Sequence, residues 1–247
     1  MPLSSTGPDL LRDDPPWLSV IVPALEADKE LGRCIASIEL ALAAAASYEI
    51  ILIVPKAQVA TAQAVFPAAR VHADTRKGIY AAMNDGARAS TGRYLYFIGK
   101  DDILLPTAAE ALALLVETQP SALFCDVYWG DRGRYKGRPS RFLILGRNAC
   151  HQGIIYSRQA FASHGPYLRR MALQADHLLN IKILWDRSIS PPAYLAKPLA
   201  WYSGSGFSVI RGADPVFWRL YPTVMRRYVG RWAVCALKFY RTLRGVG

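Results

Sequence analysis

The chain lacks a hydrophobic run long enough to cross a membrane, although hydrophobic residues make up 52% of its 247 residues. Its longest apolar stretch, residues 35–48, is alanine-rich and interrupted by Glu39, whereas a spanning helix needs about 20 apolar residues. Residues 1–16 contain prolines and acids in place of the basic start and apolar core of a signal peptide. We therefore expect residues 1–16 to form a disordered leader and the protein to be cytoplasmic.

Cysteine is scarce, and the four cysteines lie far apart at positions 34, 125, 150 and 235. No two of them form the closely spaced pair that is typical of structural zinc sites. A disulfide framework is equally unexpected, because such frameworks belong to small secreted domains. The cysteine pattern fits a reducing cytosol.

Acidic residues are also few, with 19 against 30 basic residues, so the net charge is +11. The excess is uneven, because residues 211–247 contain eight basic residues and one acid and therefore carry +7 of it. A nucleic-acid-binding protein would spread basic residues over a face of its folded domain. The charge distribution therefore argues against a nucleic-acid partner.

Short β-branched runs alternate with helical patterns up to about residue 128. The predicted strands cover 18–22, 49–54, 70–72, 94–98 and 122–128, and the predicted helices cover 28–46, 57–65, 107–118 and a segment opened by Gly78. This alternation predicts an α/β fold, with a parallel sheet covered by helices on both faces. Residues 129–147 are basic, glycine-rich and loop-like, and a further helix is expected near 174–186. We expect one domain over residues 17–210.

Two adjacent carboxylates, Asp101 and Asp102, follow the apolar strand at 94–98. The carboxyl end of a buried strand faces the crevice in which open α/β sheets bind ligands. Because neighbouring carboxylates repel, a divalent cation or a hydrogen-bonded polar partner usually accompanies them. The alternative is that the pair only caps the helix that starts near Pro106.

Several motifs occur in a recognisable order. They are GIYAAMNDGARASTGRYLYFIGKDD at 78–102, HQGIIYSR at 151–158, ADHLLNIK at 175–182 and SGSGFS at 203–208. Together they resemble bacterial family 2 glycosyltransferases over roughly residues 18–208. The resemblance implies the GT-A fold, a Rossmann-like and mostly parallel sheet sandwiched by helices. It also implies transfer of a sugar from a nucleotide-diphospho-sugar.

The resemblance implies a donor side that holds Mg²⁺ or Mn²⁺. Asp102 should contact the metal, and Asp101 should lie near the ribose or a metal-bound water. The other positions expected on the donor side are Pro23, Asp74, Lys77, Gly78 and Asn84. Asn84 could instead tether a loop. Arg76, Lys77 and Lys100 are candidates for neutralising the diphosphate, or else solvated loop cations.

The resemblance implies that Asp176 is the general base, which takes the proton of the acceptor hydroxyl in an inverting single displacement. Its local alternative is a helix N-cap. His151 and Gln152 are expected to line the acceptor pocket or contact the leaving phosphates, although a structural role for the histidine fits as well.

The chain departs from the family at Val54, where members commonly carry an acid that recognises the nucleotide base. Arg76 and Ala81 likewise replace usual acids. These changes leave the nucleotide base undetermined. They also favour an alternative function, a non-catalytic, membrane-associated nucleotide-binding or scaffold protein that keeps the fold.

The tail at 211–247 segregates its residues into two stripes on a helix predicted to start at Pro222. Aromatic and aliphatic residues recur at spacings of mostly three and four on one side, and arginine and lysine occupy the other. Such a basic amphipathic helix predicts binding of residues 222–244 to an anionic membrane. We therefore expect a peripheral protein on the inner face of the cell membrane with a lipid-linked saccharide acceptor. The alternative is a helix packed on its own domain.

Overall fold

The computed structural model describes residues 14–45, 47–75, 78–204 and 214–232. Most of the predicted leader, Lys77 with its neighbour Arg76, and the tail outside residues 214–232 lie outside these ranges. No helix within the described ranges is both long and apolar enough to cross a membrane.

A single mixed sheet carries helices on both faces, which confirms the α/β fold predicted from the sequence. The strands are β1 Leu18–Pro23, β2 Tyr48–Val54, β3 Arg70–Ala73, β4 Tyr94–Phe97, β5 Ile103–Leu104, β6 Ala122–Trp129, β7 Arg134–Tyr135, β8 Ile154–Ser157 and β9 Ala193–Tyr202. The helices are α1 Lys29–Leu42, α2 Val59–Val65, α3 Ile79–Ala89, α4 Thr107–Thr118, α5 Arg158–His164, α6 Ala175–Trp185 and α7 Pro215–Val224. The sheet order is β3-β2-β1-β4-β8-β6-β9-β5, and β7 pairs with β6.

The first four strands are parallel, and their order reverses at β1. Strands β2 and β3 lie on one side of β1, and β4 lies on the other. In an open α/β sheet such a reversal opens a crevice at the carboxyl ends of the strands. The turn that carries Asp101 and Asp102 follows β4, so the reversal brings both acids to this crevice.

Strand β8 runs antiparallel between β4 and β6. Because an antiparallel strand begins where its neighbour ends, the 3₁₀ turn His151–Gly153 before β8 lies beside the end of β4. Strand β9 is parallel to β6 and antiparallel to β5, with Trp201 opposite Ile103. Ser203, which follows β9, therefore also reaches the two acids.

Side chains of each strand alternate between two hydrophobic clusters, one on each face of the sheet. On β1, Ile21 points into the cluster beneath α3, α5, α6 and α7, whereas Val20 and Val22 point into the cluster beneath α1, α2 and α4. All three side chains are fully buried. Both faces of the sheet are therefore covered, as the sequence predicts.

The tail helix begins at Pro215, so the predicted start at Pro222 is wrong. Pro215 occupies the first helical turn, where proline lacks only a hydrogen-bond donor that the helix does not use, and Asp214 caps the helix by accepting from the N–H of Val216 at 2.8 Å. Pro222 instead lies inside the helix. Phe217, Tyr221, Met225 and Val229 recur every four residues and are buried in the cluster with α6. The described part of the tail thus packs on its own domain.

Candidate functional site

The carboxylate pair after β4 is held by neutral hydrogen-bond donors. Oδ2 of Asp102 accepts from the Nε2 of Gln152 at 2.9 Å and from the N–H of Gly99 at 3.2 Å. Its Oδ1 accepts from the N–H of Ser203 at 3.0 Å, and the hydroxyl of Ser203 donates to Oδ2 of Asp101 at 2.6 Å. The residue after β9 therefore clamps both acids.

Asp102 is only 1% exposed. A side chain that binds a metal is expected to be more accessible than this. The pKa of Asp102 is raised to about 7. Burial is the main cause and the charge of Asp101 adds to it, while the hydrogen bond from Ser203 acts in the opposite direction. The physical reason for the inward position is the convergence of the Gln152 amide and two backbone N–H groups on this carboxylate. A bound cation would relieve the repulsion between the two acids.

The two carboxylates converge over Gly99. A Cβ atom placed on Gly99 would lie 2.8 Å from Oδ1 of Asp101 and 2.8 Å from Oδ2 of Asp102, so only glycine leaves this space open. Within the described residues no group of three or more His, Cys, Asp or Glu side chains could hold a metal. A pair of converging carboxylates nevertheless fits Mg²⁺ or Mn²⁺, because such ions complete their ligand set with phosphate oxygens and water.

A third acid, Asp176, lies in the first turn of α6 and is 7% exposed. The hydroxyl of Tyr80, from the first turn of α3, donates to its Oδ1 at 2.8 Å. The Nδ2 of Asn148 donates to its Oδ2 at 2.5 Å. The carboxylate is thus fixed by donors from two separate segments, and it does not cap α6, whose preceding residue Gln174 makes no side-chain cap.

His151 lies between the two acidic groups. Its Nδ1 is 4.0 Å from Oδ2 of Asp176, and its ring packs 5.9 Å from the ring of Phe97. Burial lowers the pKa of His151, and the charge of Asp176 offsets this in part. Both ring nitrogens are buried and have no hydrogen-bond partner among the residues described. A neutral imidazole with unused hydrogen-bonding capacity at a cleft is suited to a ligand hydroxyl.

The turn at 151–153 joins the two acidic groups into one site. Gln152 holds Asp102, and His151 next to it faces Asp176. The hydroxyl of Tyr96, on β4, donates to the carbonyl of Gln152 at 2.8 Å and fastens the turn to the sheet. The structure therefore brings together the residues predicted for the metal side and those predicted for the acceptor side.

Three predicted donor-side residues lie along the carboxyl edge of the parallel strands. Pro23 is the last residue of β1, and Asp74 follows β3 with its N–H donating to the carbonyl of Val54 at 2.7 Å. Gly78 precedes α3 with φ of 105°, a backbone conformation that favours glycine. Lys77, the fourth predicted residue in this region, lies outside the described residues.

Asn84 tethers a loop, the alternative that the sequence left open beside a donor role. It is 2% exposed, its Nδ2 donates to the carbonyl of Tyr167 at 2.8 Å, and its Oδ1 accepts from the N–H of Tyr167 at 2.9 Å. Both functions of the amide are therefore used to tether this loop. Lys100 forms ion pairs with Asp28 and Glu30 at the start of α1 and is not a free cation for a diphosphate.

Sequence reasoning missed three residues that shape the site. Tyr80 belongs to the motif at 78–102, but the sequence assigns a role only to its neighbours. Ser203 opens the SGSGFS motif, to which the sequence assigns no function. Asn148 follows the loop-like region and precedes the HQ pair, and nothing there signals its contact with Asp176.

The fold and the site are those of a GT-A-type enzyme, in which the turn at 151–153 contacts both an acid pair at the end of a strand and a buried single acid. Residues 19–175 match the model of glycosyl transferase family 2, and the chain belongs to this family. Its GT-A fold and its assignment as a glycosyltransferase are thereby confirmed. The alternative of a non-catalytic scaffold has no support in these matches.

Two groups of relatives and one solved structure illustrate the similarity. PGL/p-HBAD biosynthesis glycosyltransferases of Mycobacterium tuberculosis and Mycobacterium bovis are 32% identical over 198 residues, covering 74% of this chain and 73% of theirs. An uncharacterized glycosyltransferase of Haemophilus influenzae is 29% identical over 191 residues, covering 70% and 64%. The crystal structure of S. aureus TarS 1–349 in complex with UDP-GlcNAc superposes with a TM-score of 0.65 at 14% identity, covering 85% of this chain and 67% of that one.

Proposed function

We propose that this glycosyltransferase moves a sugar from a nucleotide-diphospho-sugar to a lipid-linked saccharide, with Mg²⁺ or Mn²⁺ and inversion at the anomeric carbon. One observation carries the proposal. The turn at 151–153 contacts Asp102, on the proposed metal side, through Gln152 and approaches Asp176, the candidate base, through His151, which supports a single site for both acids. Catalysis by displacement needs these two functions on opposite sides of the reacting carbon.

On the donor side, the proposal uses the crevice at the ends of β1 and β4. S. aureus TarS has been crystallised with UDP and with UDP-GlcNAc, and its similar fold supports a nucleotide-sugar here. Asp101 and Asp102 would hold the cation, which neutralises negative charge that accumulates on the departing diphosphate. Gln152 and Ser203 keep the two carboxylates in place through their hydrogen bonds.

On the acceptor side, Asp176 would accept the proton of the attacking hydroxyl. The new bond forms between that oxygen and the anomeric carbon as the bond from this carbon to the diphosphate breaks, which inverts the configuration. Tyr80 and Asn148 orient the carboxylate, so little reorganisation is needed when the proton moves. The neutral imidazole of His151 would position the acceptor through a hydrogen bond.

The membrane part of the proposal rests on the tail. Residues 211–247 carry +7 of the net charge of +11, and the described arginines Arg226, Arg227 and Arg231 are exposed. Each basic residue near an anionic leaflet contributes about 1 kcal/mol to binding. We therefore propose a peripheral location on the inner face of the cell membrane, where a lipid-linked acceptor would be within reach.

Replacement of the proposed base tests the reaction. Asp176→Asn should leave the affinity for UDP or GDP sugars with Mn²⁺ unchanged in calorimetry, because the residue lies on the acceptor side. Transfer to a lipid-linked acceptor should fall by about 10²-fold or more, the usual scale for loss of a general base. Asp131→Asn, at an exposed acid in the loop after β6, is the control and should keep full transfer. Normal turnover by Asp176→Asn would remove this residue from the mechanism.

Replacement of the metal-side acid tests the donor site separately. Asp102→Asn keeps the shape of the side chain and removes its charge, so calorimetry should show loss of the Mn²⁺-dependent part of nucleotide binding. Thermal unfolding should remain cooperative in the variant. Equal nucleotide affinity with and without Mn²⁺ in the unchanged protein would instead contradict metal dependence.

A further inference from the structure

A cavity of ≈ 610 Å³ lies away from the catalytic crevice, at the opposite end of α6. It is bordered by the end of α5, the end of α6 and the residues that follow α7. Its functional groups come from His164, Trp185, Asp186, Arg187, Arg227 and Tyr228. Asp176 and Trp185 are nine residues apart on α6, which corresponds to about 14 Å along a helix. The cavity is therefore a separate site carried by the same helix as the proposed base.

The cavity has an excess of positive charge. Arg187 and Arg227 are exposed, and neither forms an ion pair within the described part of the chain. One carboxylate lines the cavity, that of Asp186, and it already accepts from the N–H and hydroxyl of Ser188 at 2.7 and 2.6 Å. An anion in the cavity would therefore balance the charges of Arg187 and Arg227.

His164 does not add to this charge at neutral pH. Its Nε2 lies 2.8 Å from Oδ2 of Asp186. Burial lowers its pKa, although the charge of Asp186 opposes the shift. The imidazole is therefore neutral near pH 7, and the balance at the cavity is that of Arg187 and Arg227 against Asp186.

An exposed aromatic surface adjoins the cavity. We call it the Trp185 patch, and it consists of Phe142, Leu143, Trp185 and Trp232. The ring of Trp185 lies 5.8 Å from that of Phe142 and 6.3 Å from that of Trp232. Phe142 and Leu143 are each 70% exposed, and Trp232 is 53% exposed.

The Trp185 patch is held outward by hydrogen bonds. The Nε of Arg141 donates to the carbonyl of Leu184 at 2.7 Å, and the Nε1 of Trp185 donates to the carbonyl of Arg141 at 2.8 Å. These bonds fasten the segment before Phe142 to the last turn of α6. Large apolar side chains that a fixed backbone presents to solvent mark an interaction surface.

We propose that the Trp185 patch inserts into the interface of an anionic phospholipid bilayer and that the neighbouring cavity receives a lipid phosphate. Charge complementarity identifies this occupant, because aromatic side chains beside arginines are the composition of interfacial membrane-binding surfaces. The inference rests on the proposed membrane location and names the described residues that produce it. It shares Arg227 and Trp232 with the tail predicted from sequence, but it adds Phe142, Leu143 and Arg187 from outside the tail and leaves out Tyr221, which is buried in the domain.

The test measures sedimentation of the full-length protein with vesicles of phosphatidylglycerol and phosphatidylcholine and with vesicles of phosphatidylcholine alone. Arg187→Gln with Arg227→Gln should weaken binding to the anionic vesicles roughly 30-fold, from about 1 kcal/mol for each charge. Phe142→Ser with Leu143→Ser should remove the binding that persists at high salt, since apolar insertion is not screened. The matched control is Arg33→Gln with Leu40→Ser on α1, on the opposite face of the sheet, where Leu40 is 78% exposed.

Three results would overturn the proposal. The first is that the Arg187→Gln and Arg227→Gln variant binds anionic vesicles as well as the unchanged protein does. The second is that the α1 control loses as much vesicle binding as the cavity and patch variants. The third is full displacement from vesicles by inorganic phosphate, which would assign the cavity to a soluble phosphate. Nucleotide binding with Mn²⁺, measured in the same variants, separates this inference from the proposed function. If vesicle binding follows the prediction while no sugar is transferred, the docking surface stands and the proposed function fails.

Discussion

The donor-side half of the molecule, residues 17–128, and the acceptor-side half, residues 129–232, position their functional groups by different means. In the first half, parallel strands deliver Asp101 and Asp102 to the crevice because the acids directly follow β4. In the second half, Asp176 stands where it does because Tyr80 and Asn148 hold its carboxylate. A strand thus brings the acid pair to its place, and Gln152 and Ser203 then hold the carboxylates, whereas Asp176 follows no strand and is oriented by buried polar side chains.

This difference extends beyond the site. Asp214 accepts from the N–H groups of Ala172 and Leu173 at 2.7 and 3.1 Å, and so fixes the segment before α6 as well as capping α7. Asn84 fixes the loop at Tyr167 in the same way. Each such bond joins segments far apart in the sequence. We therefore expect the acceptor-side half to be more sensitive than the donor-side half to single polar substitutions.

The largest effect is expected at Asn84, because its amide connects the two halves. Asn84→Ala leaves a buried carbonyl and a buried N–H of Tyr167 without partners and should lower the free energy of unfolding by about 2–4 kcal/mol. Urea unfolding measures this change. Gln63→Ala is the control, since this exposed amide makes one local hydrogen bond, to Ala69, and should cost within about 0.5 kcal/mol. A loss at Asn84 no larger than that at Gln63 would contradict the proposed linking role.

A smaller contrast is expected between two capping aspartates. Asp28→Ala removes the cap of α1 on the donor side, where Oδ1 accepts from the N–H of Leu31 at 3.0 Å, together with a partly exposed ion pair to Lys100. Because such ion pairs contribute little, the change should cost about 1 kcal/mol. Asp214→Ala removes the cap of α7 together with the bonds to residues 172 and 173, and should cost about 2–3 kcal/mol.

Thermal or urea unfolding of the two capping variants supplies the comparison. Serine at each position provides the control, because it restores a cap without restoring the long-range bonds. Asp28→Ser should recover most of the loss, whereas Asp214→Ser should recover only part of it. Full recovery at both positions would mean that the two halves are held in the same way.

The two halves also differ in how far sequence predicts them. The predicted strand at 49–54 and helix at 107–118 match β2 and α4 closely, because buried β-branched runs and helical periodicity are local signals. The position of the carboxylate pair after β4 follows from the same local signal, since the acids come soon after a buried strand. Val54 stands where family members commonly carry an acid, and no local pattern identifies the group that replaces this acid.

Partners far apart in the chain could not be predicted. No local pattern states that Asn84 bonds to residue 167 or that Ser203 clamps both acids, because these contacts depend on how β8 and β9 enter the sheet. The start of α7 was misplaced because two prolines, Pro215 and Pro222, compete for the role of first helical residue. Asp214 decides between them through its cap, a weaker signal than the aromatic stripe.

The smallest effect is expected at Glu49, a donor-side residue whose side chain also joins distant segments. Its Oε1 accepts from the hydroxyl of Ser19 at 2.7 Å and from the N–H of Thr91 at 2.6 Å, and its Oε2 accepts from Arg70 at 2.6 Å. Burial alone would raise the pKa of Glu49, but the hydrogen bonds from Thr91, Ser19 and Arg70 outweigh it and lower the pKa. Here a side chain adds to the ladder between β1 and β2 and ties both strands to the turn before β4.

Because the pKa of Glu49 is lower in the folded protein, its charge stabilises the fold above the unfolded value of about 4.3. That contribution disappears as the pH falls through the folded-state pKa. Glu49→Gln should therefore lower the free energy of unfolding by about 1 kcal/mol at pH 7, and the difference from the unchanged protein should shrink below about pH 4. Glu39→Gln, at an exposed acid of α1, supplies the control. A difference that stays constant from pH 7 to pH 3 would show that the Glu49 contacts act through packing and not through charge.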